Sequence, residues 1–126
     1  MTRQPKTVSA WVFVGLYAGV IFYLSSLSRP LPEPIQKYFY DWVLHGVEYL
    51  FFGVLLARAI GLSFERSSWR TLMAWTFVVG ALYGISDEWH QSFVPEREAC
   101  VKDAAVDAVA VLLGAWIWTV PIEKRK

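Results

Sequence analysis

Asp41, His45 and Glu48 stand at i, i+4 and i+7, and Asp87, His90 and Gln91 stand at i, i+3 and i+4. In a helix each set occupies one face. Asp103 and Asp107, four apart, make a third set. Carboxylates and imidazoles drawn together from several segments can ligate a divalent ion, carry a proton or bind a polar ligand. For acid–base chemistry the candidates are His45, Asp87, His90 and Asp107; for a metal they are His45, Asp87 and His90. No H-E-x-x-H or comparable spacing occurs, so His45 has to reach a shared ion from a different helix than Asp87 and His90. No cofactor is demanded by the pattern, and a divalent metal is allowed by it.

Each group also admits a plainer role. Ser25 and Ser26 fit back-bonding to helix carbonyls better than nucleophilic work. Asp103 reads as an N-terminal cap, and Glu33, Glu96 and Glu98 read as solvated loop charges. Glu88 points roughly 100° away from Asp87 and fits an interface. Arg97 folded onto Asp103 or Asp107 would make the whole set a structural lock.

The elements that must position these residues are membrane helices. Of the 126 residues, 56% are hydrophobic, 17% aromatic and only 18% charged, with a mean hydropathy of +0.36. A soluble domain carries about 25% charged residues, and a chain this short has no soluble core large enough for so much apolar surface. A net charge of +1 with no basic stripe excludes nucleic acid as the main partner. The one cysteine, Cys100, excludes an internal disulfide and a cysteine-cluster metal site.

Four spans are predicted, over residues 9–27, 41–60, 68–93 and 103–120, giving an all-α bundle in one domain covering residues 1–126. The first follows Arg3 and Lys6 and outlasts a signal-peptide core of about 7–15 residues, so it reads as an uncleaved helix. The stretch from Pro30 to Pro34 ends it. Gly61 is expected to cap the second span, Pro95 to stop the third and Pro121 the fourth. Arg3, Lys6, Arg58, Arg66, Arg70, Lys124, Arg125 and Lys126 fall on one side of the membrane. Arg29, Lys37, Arg97 and Lys102 fall on the other. The positive-inside rule then predicts a multi-pass protein of the bacterial cytoplasmic (inner) membrane with both termini cytoplasmic. Two glycine pairs, Gly15 with Gly19 and Gly80 with Gly84, permit close helix approach. Trp11, Trp42, Trp69, Trp116 and Trp118 are placed as an aromatic belt.

The acids are lopsided in this topology. Only Glu65 and Glu123 fall on the cytoplasmic side, while the remaining acids and both histidines fall in outer loops or outer helix halves. His45 lies roughly 6 Å and Glu48 roughly 10 Å into the second helix; Asp87 lies roughly 9 Å from the end of the third, and Asp107 roughly 6 Å into the fourth. Charges at that depth face partners or water. The expected binding residues of an outer polar pocket are His45, Glu48, Asp87, Glu88, His90, Gln91, Arg97, Asp103 and Asp107.

The pattern Asp41-x-x-x-His45-x-x-x-Tyr49, the segment from Tyr83 through Asp87-Glu88-Trp89-His90-Gln91 to Pro95-Glu96-Arg97, and Asp103-x-x-x-Asp107 together resemble the VanZ-like family. The resemblance runs from the serines closing the first helix to Gly114, and its specific part is Asp-Glu-x-His-Gln followed by Pro-x-Arg. Trp42 stands where a basic residue often follows the aspartate, and Glu96 where glycine often precedes the arginine. The resemblance implies a small bacterial membrane protein, related to one that accompanies resistance to the glycopeptide teicoplanin. It also implies that His45, Asp87, Glu88, His90, Gln91, Arg97, Asp103 and Asp107 carry the family pattern.

Three functions follow as expectations. The favoured one is binding or remodelling of a cell-envelope lipid head group or glycopeptide-related ligand, with Arg97 on an anionic group. The alternative is a metal-assisted hydrolase or transferase acting on an envelope lipid. A proton-coupled path ranks third, because the inner halves of all four spans lack acids and histidines. The partners expected are the lipid bilayer and such a ligand; a lone bundle and an oligomer both fit.

Overall fold

A computed structural model of the protein describes residues 4–28 and 41–123, without the side chains of Asp41 and of residues 121–123. Arg3, Arg29, the prolines from Pro30 to Pro34, Glu33, Lys37 and the terminal Lys124, Arg125 and Lys126 lie outside the described residues, as does the side chain of Glu123. The described residues form four helices: α1 (Gln4–Ser25), α2 (Asp41–Ser63), α3 (Trp69–Gln91) and α4 (Val101–Glu123). No strand occurs among them.

Three helices, Gln4–Ser25, Trp42–Ser63 and Val101–Val120, are long and apolar enough to cross a membrane. At 1.5 Å per residue they match a hydrocarbon core of about 30 Å. The 23-residue α3 has the length, but Asp87, Glu88, His90 and Gln91 in its last turns leave its composition short of the other three. Apolar side chains also cover the outside: Val8, Val12, Leu16, Val20 and Tyr23 along α1 are all exposed, as befits contact with lipid.

The helices depart from the expected bounds at their ends. Gly61 does not cap α2, which runs on to Ser63. Its role is steric, because a Cβ there would lie 2.8 Å from Cη2 of Trp118. Helical backbone in α4 continues past Pro121 to Glu123. Ser68 does cap α3, its hydroxyl accepting the Thr71 N–H at 3.2 Å.

Packing centres on α2 and α4, with α3 against α4 and α1 attached chiefly to α2. The contact between α2 and α4 is nearly backbone on backbone. A Cβ at Gly53 would lie 2.8 Å from the Val111 Cα, and one at Gly114 would lie 2.9 Å from the Val54 nitrogen. Only glycine fits such an approach. Of the two glycine pairs marked in the sequence, one behaves as expected: a Cβ on Gly80 would meet Val111 Cγ1 at 2.5 Å, and one on Gly84 would meet Asp107 Cβ at 3.1 Å. Gly15 and Gly19 correct the expectation, because a Cβ on either would meet nothing within 4 Å.

At one end of the bundle, Trp11 Nε1 donates to Ser63 Oγ at 2.9 Å, tying the start of α1 to the end of α2. The opposite end gathers the last turn of α1, the first turns of α2, the last turns of α3 and the start of α4. The polar residues meet there.

Candidate functional site

Tyr49 is the base of this end. It is fully buried beside Phe52, which it meets edge-on with ring centroids 5.9 Å apart, and its hydroxyl donates to Asp87 Oδ2 at 3.1 Å. One turn above it on α2, His45 places Nδ1 3.0 Å from Oδ1 of Asp107 on α4. Asp107 is 0% exposed, so the pair is shielded from solvent. The space for Asp107 comes from Gly84 on α3, since a Cβ there would lie 3.3 Å from its Oδ2. Gln91 extends the network, with Nε2 at 3.4 Å from both Asp87 Oδ2 and Ser25 Oγ. Residues from all four helices are thereby linked.

Glu88 takes a different task. Buried on the α4 side, its Oε2 accepts the Cys100 N–H at 2.9 Å, immediately before α4 begins. A carboxylate at a helix N-terminus satisfies an otherwise unpaired donor and favours the positive end of the helix dipole. Cys100, not Asp103, immediately precedes α4, and its carbonyl accepts from the N–H groups of Asp103 and Ala104. Asp103 lies inside the first turn, half-buried.

The structure brings His45, Asp87 and Asp107 together: one ligand-type atom from each lies within 4.8 Å of the others. A second group, His45, Glu88 and Asp103, meets the same limit and shares the imidazole. Among the described residues His90 belongs to neither group. Its ring turns toward α1, stacks on Phe22 with centroids 4.3 Å apart, and places Nε2 3.0 Å from Ser26 Oγ. The Ser26 hydroxyl donates to the Phe22 carbonyl at 2.7 Å, so its oxygen is left to accept from the Nε2–H of His90. Glu48 is half-buried, and its backbone carbonyl accepts from the Tyr17 hydroxyl at 3.0 Å.

Arg97 sits half-buried in the turn between α3 and α4, with its N–H on the Val94 carbonyl at 3.2 Å. Among the described residues it makes no ion pair with Asp103 or Asp107, so the structural lock considered from the sequence is not formed. Glu96 before it has φ 66°, the left-handed backbone that glycine adopts most easily.

Two cavities flank the buried cluster. One, of about 310 Å³, lies between α1 and α3 and is lined by Phe22, Tyr83, Ser86, Asp87, Trp89, His90 and Phe93. Its walls are mostly aromatic, and Ser86, Asp87 and His90 are the other residues that line it. The other, of about 550 Å³, is an apolar groove between α2 and α4, with Trp42 and Lys102 among its lining residues. Neither is lined by Arg97.

Tyr49 enters the sequence reading only as part of the family pattern, without a role at the site, and the aromatic walls are given no role there either. Tyr49 stands four residues after His45, the same-face spacing that could have found it. Phe22, Trp89 and Phe93 carry no such signal, because exposed aromatics are ordinary near membrane interfaces. A family model described as VanZ/LLP1 matches residues 10–121. No curated protein and no solved structure matches the chain significantly.

Proposed function

The chain belongs to the VanZ/LLP1 family, and from that premise we propose that it binds the polar head group of a cell-envelope lipid in the cavity between α1 and α3. In this reading it is a multi-pass protein of the bacterial cytoplasmic membrane, and the cavity opens at the outer face. The observation that carries the reading is the cavity's lining: Asp87 and His90 set among Phe22, Tyr83, Trp89 and Phe93. Aromatic faces receive the apolar face of a sugar or amine-bearing group, and the His90 imidazole and the Ser86 hydroxyl at the wall meet its hydroxyls or ammonium. About 310 Å³ is the low end of the range for small-ligand sites, enough for a head group but not for a whole lipid. The acyl chains would stay in the bilayer, against the exposed apolar side chains of α1 and α3.

Arg97 is not needed for this binding, because it lines neither cavity. A link to glycopeptide resistance would follow if the bound head group belongs to a lipid near the drug's target. Native mass spectrometry of the purified full chain tests the proposal. The wild type is expected to retain a lipid with a hydroxyl- or amine-bearing head group, Trp89→Ala to lose it at unchanged unfolding temperature, and His90→Ala to lose it as well. Equal lipid retention in all three proteins would refute the proposal.

A further inference from the structure

We propose that His45, Asp87 and Asp107 form a binding site for one divalent transition-metal cation where α2, α3 and α4 meet. Three observations independent of the head-group reading carry it. The first is distance. One ligand atom from each residue lies within 4.8 Å of the others, and the His45 Nδ1–Asp107 Oδ1 separation is 3.0 Å. Metal–ligand bonds of about 2.0–2.2 Å put adjacent ligands roughly 3 Å apart and opposite ones roughly 4 Å apart. Small side-chain adjustments therefore suffice.

The second is the pattern of unused oxygens. Both donors to Asp87, the Tyr49 hydroxyl and the Gln91 amide, go to Oδ2, and Oδ1 is buried with no partner among the described residues. Asp107 likewise leaves one oxygen open, with Oδ1 beside His45 and Oδ2 buried and unpartnered. Both residues are more than nine-tenths buried. A self-sufficient hydrogen-bond network would spread its donors over all the oxygens, because each buried acceptor left empty is costly. Asp87 thus has one oxygen fixed from behind by Tyr49 and Gln91 and the other left open, while Asp107 has Oδ1 beside its fellow ligand His45 and Oδ2 left open. Metal-ligating side chains are oriented by outer hydrogen bonds in this way.

The third is charge. Asp87, Glu88 and Asp107 are all buried, and among the described residues no lysine or arginine pairs with any of them. Among the described residues His45 is the only basic partner, and it faces Asp107. Carboxylates buried without compensation are strongly disfavoured. A divalent cation cancels the charges of Asp87 and Asp107 together. The group of His45, Glu88 and Asp103 shares the same imidazole, and Glu88 also leaves Oε1 buried and unpartnered while Oε2 takes the Cys100 N–H, but Asp103 is only half-buried, where Asp87 and Asp107 are both buried. One imidazole nitrogen with carboxylate oxygens suits Zn²⁺, Mn²⁺ or Fe²⁺ better than the soft Cu⁺ or the all-oxygen Ca²⁺.

The test uses the full chain purified in detergent without chelator. Elemental analysis is expected to find about one transition metal per chain. Added Zn²⁺ or Mn²⁺ should raise the unfolding temperature of chelator-stripped protein. Asp87→Asn and Asp107→Asn should each weaken metal binding at least 10-fold and abolish that rise, since the outer-shell geometry survives but the charge does not. Should a variant fail to fold, Co²⁺ added to the stripped wild type decides alone: a visible spectrum distinct from aqueous Co²⁺ is expected. Absence of bound metal, of the thermal shift and of a changed Co²⁺ spectrum in wild type would overturn the site. Lipid retention by stripped protein reports the head-group reading separately.

Discussion

Four glycine-to-alanine substitutions should split into two opposite pairs. Gly15, Gly19, Gly80 and Gly84 look alike in the sequence, as two pairs four residues apart in apolar helices. Alanine at Gly15 or Gly19 adds a methyl that meets nothing within 4 Å. Helix propensity then acts alone and stabilises by up to about 1 kcal/mol. Alanine at Gly84 puts its methyl 3.1 Å from Asp107 Cβ, where carbon atoms prefer roughly 3.5–4.0 Å. Asp107 must retreat by about half an ångström, which is enough to degrade its 3.0 Å contact with His45. Overpacking costs about 1–3 kcal/mol, and weakening a hydrogen bond to a charged group adds to it. The propensity gain leaves a net loss of about 1–3 kcal/mol. Gly80→Ala should be at least as damaging, because Val111 Cγ1 would lie 2.5 Å away on a stiff branched side chain. Unfolding in detergent by increasing denaturant measures all four. Equal effects at Gly15 and Gly84 would refute the assignment of α3, not α1, to the close approach on α4.

Other substitutions probe separate parts of the site. Tyr49→Phe removes the hydroxyl 3.1 Å from Asp87 and should cost about 1.5–3 kcal/mol of unfolding free energy at unchanged packing. Glu96→Gly relieves a φ of 66°, a gain offset by added chain entropy and by loss of the side chain's own interaction, so the same unfolding curves should shift by less than about 1 kcal/mol. Cys100 is exposed and is the only cysteine in the sequence, so thiol labelling reports orientation directly. A membrane-impermeant maleimide should label it in intact spheroplasts; labelling only after lysis would invert the topology.

Much of the bundle was legible because membrane helices declare themselves by length and composition. The spans over 9–27, 41–60 and 103–120 correspond to the three helices apolar enough to cross. The convergence of His45, Asp87 and Asp107 also follows from spacing, since each sits at a similar depth from the same end. Neighbour choice was not legible. Asp87 and His90 differ by about 60° around α3, and that rotation is enough to send Asp87 to Tyr49 on α2 and His90 to Phe22 on α1 and to Ser26 just past its end. Glycine spacing was ambiguous for the same reason: it marks a smooth helix face without naming what meets it. Gly53 and Gly114, which set the tightest contact, come from different helices and have no shared spacing to notice. Glu88 reached Cys100 through a turn whose path depends on the left-handed Glu96.

A crystal structure of the full chain grown from a mesophase doped with envelope lipid extract bears most directly on head-group binding. The expected result is density for a polar head group between α1 and α3, within hydrogen-bonding distance of Asp87 or His90 and flanked by Phe22 and Trp89. A cavity closed by its own aromatic side chains, or filled by an acyl chain alone, would contradict it.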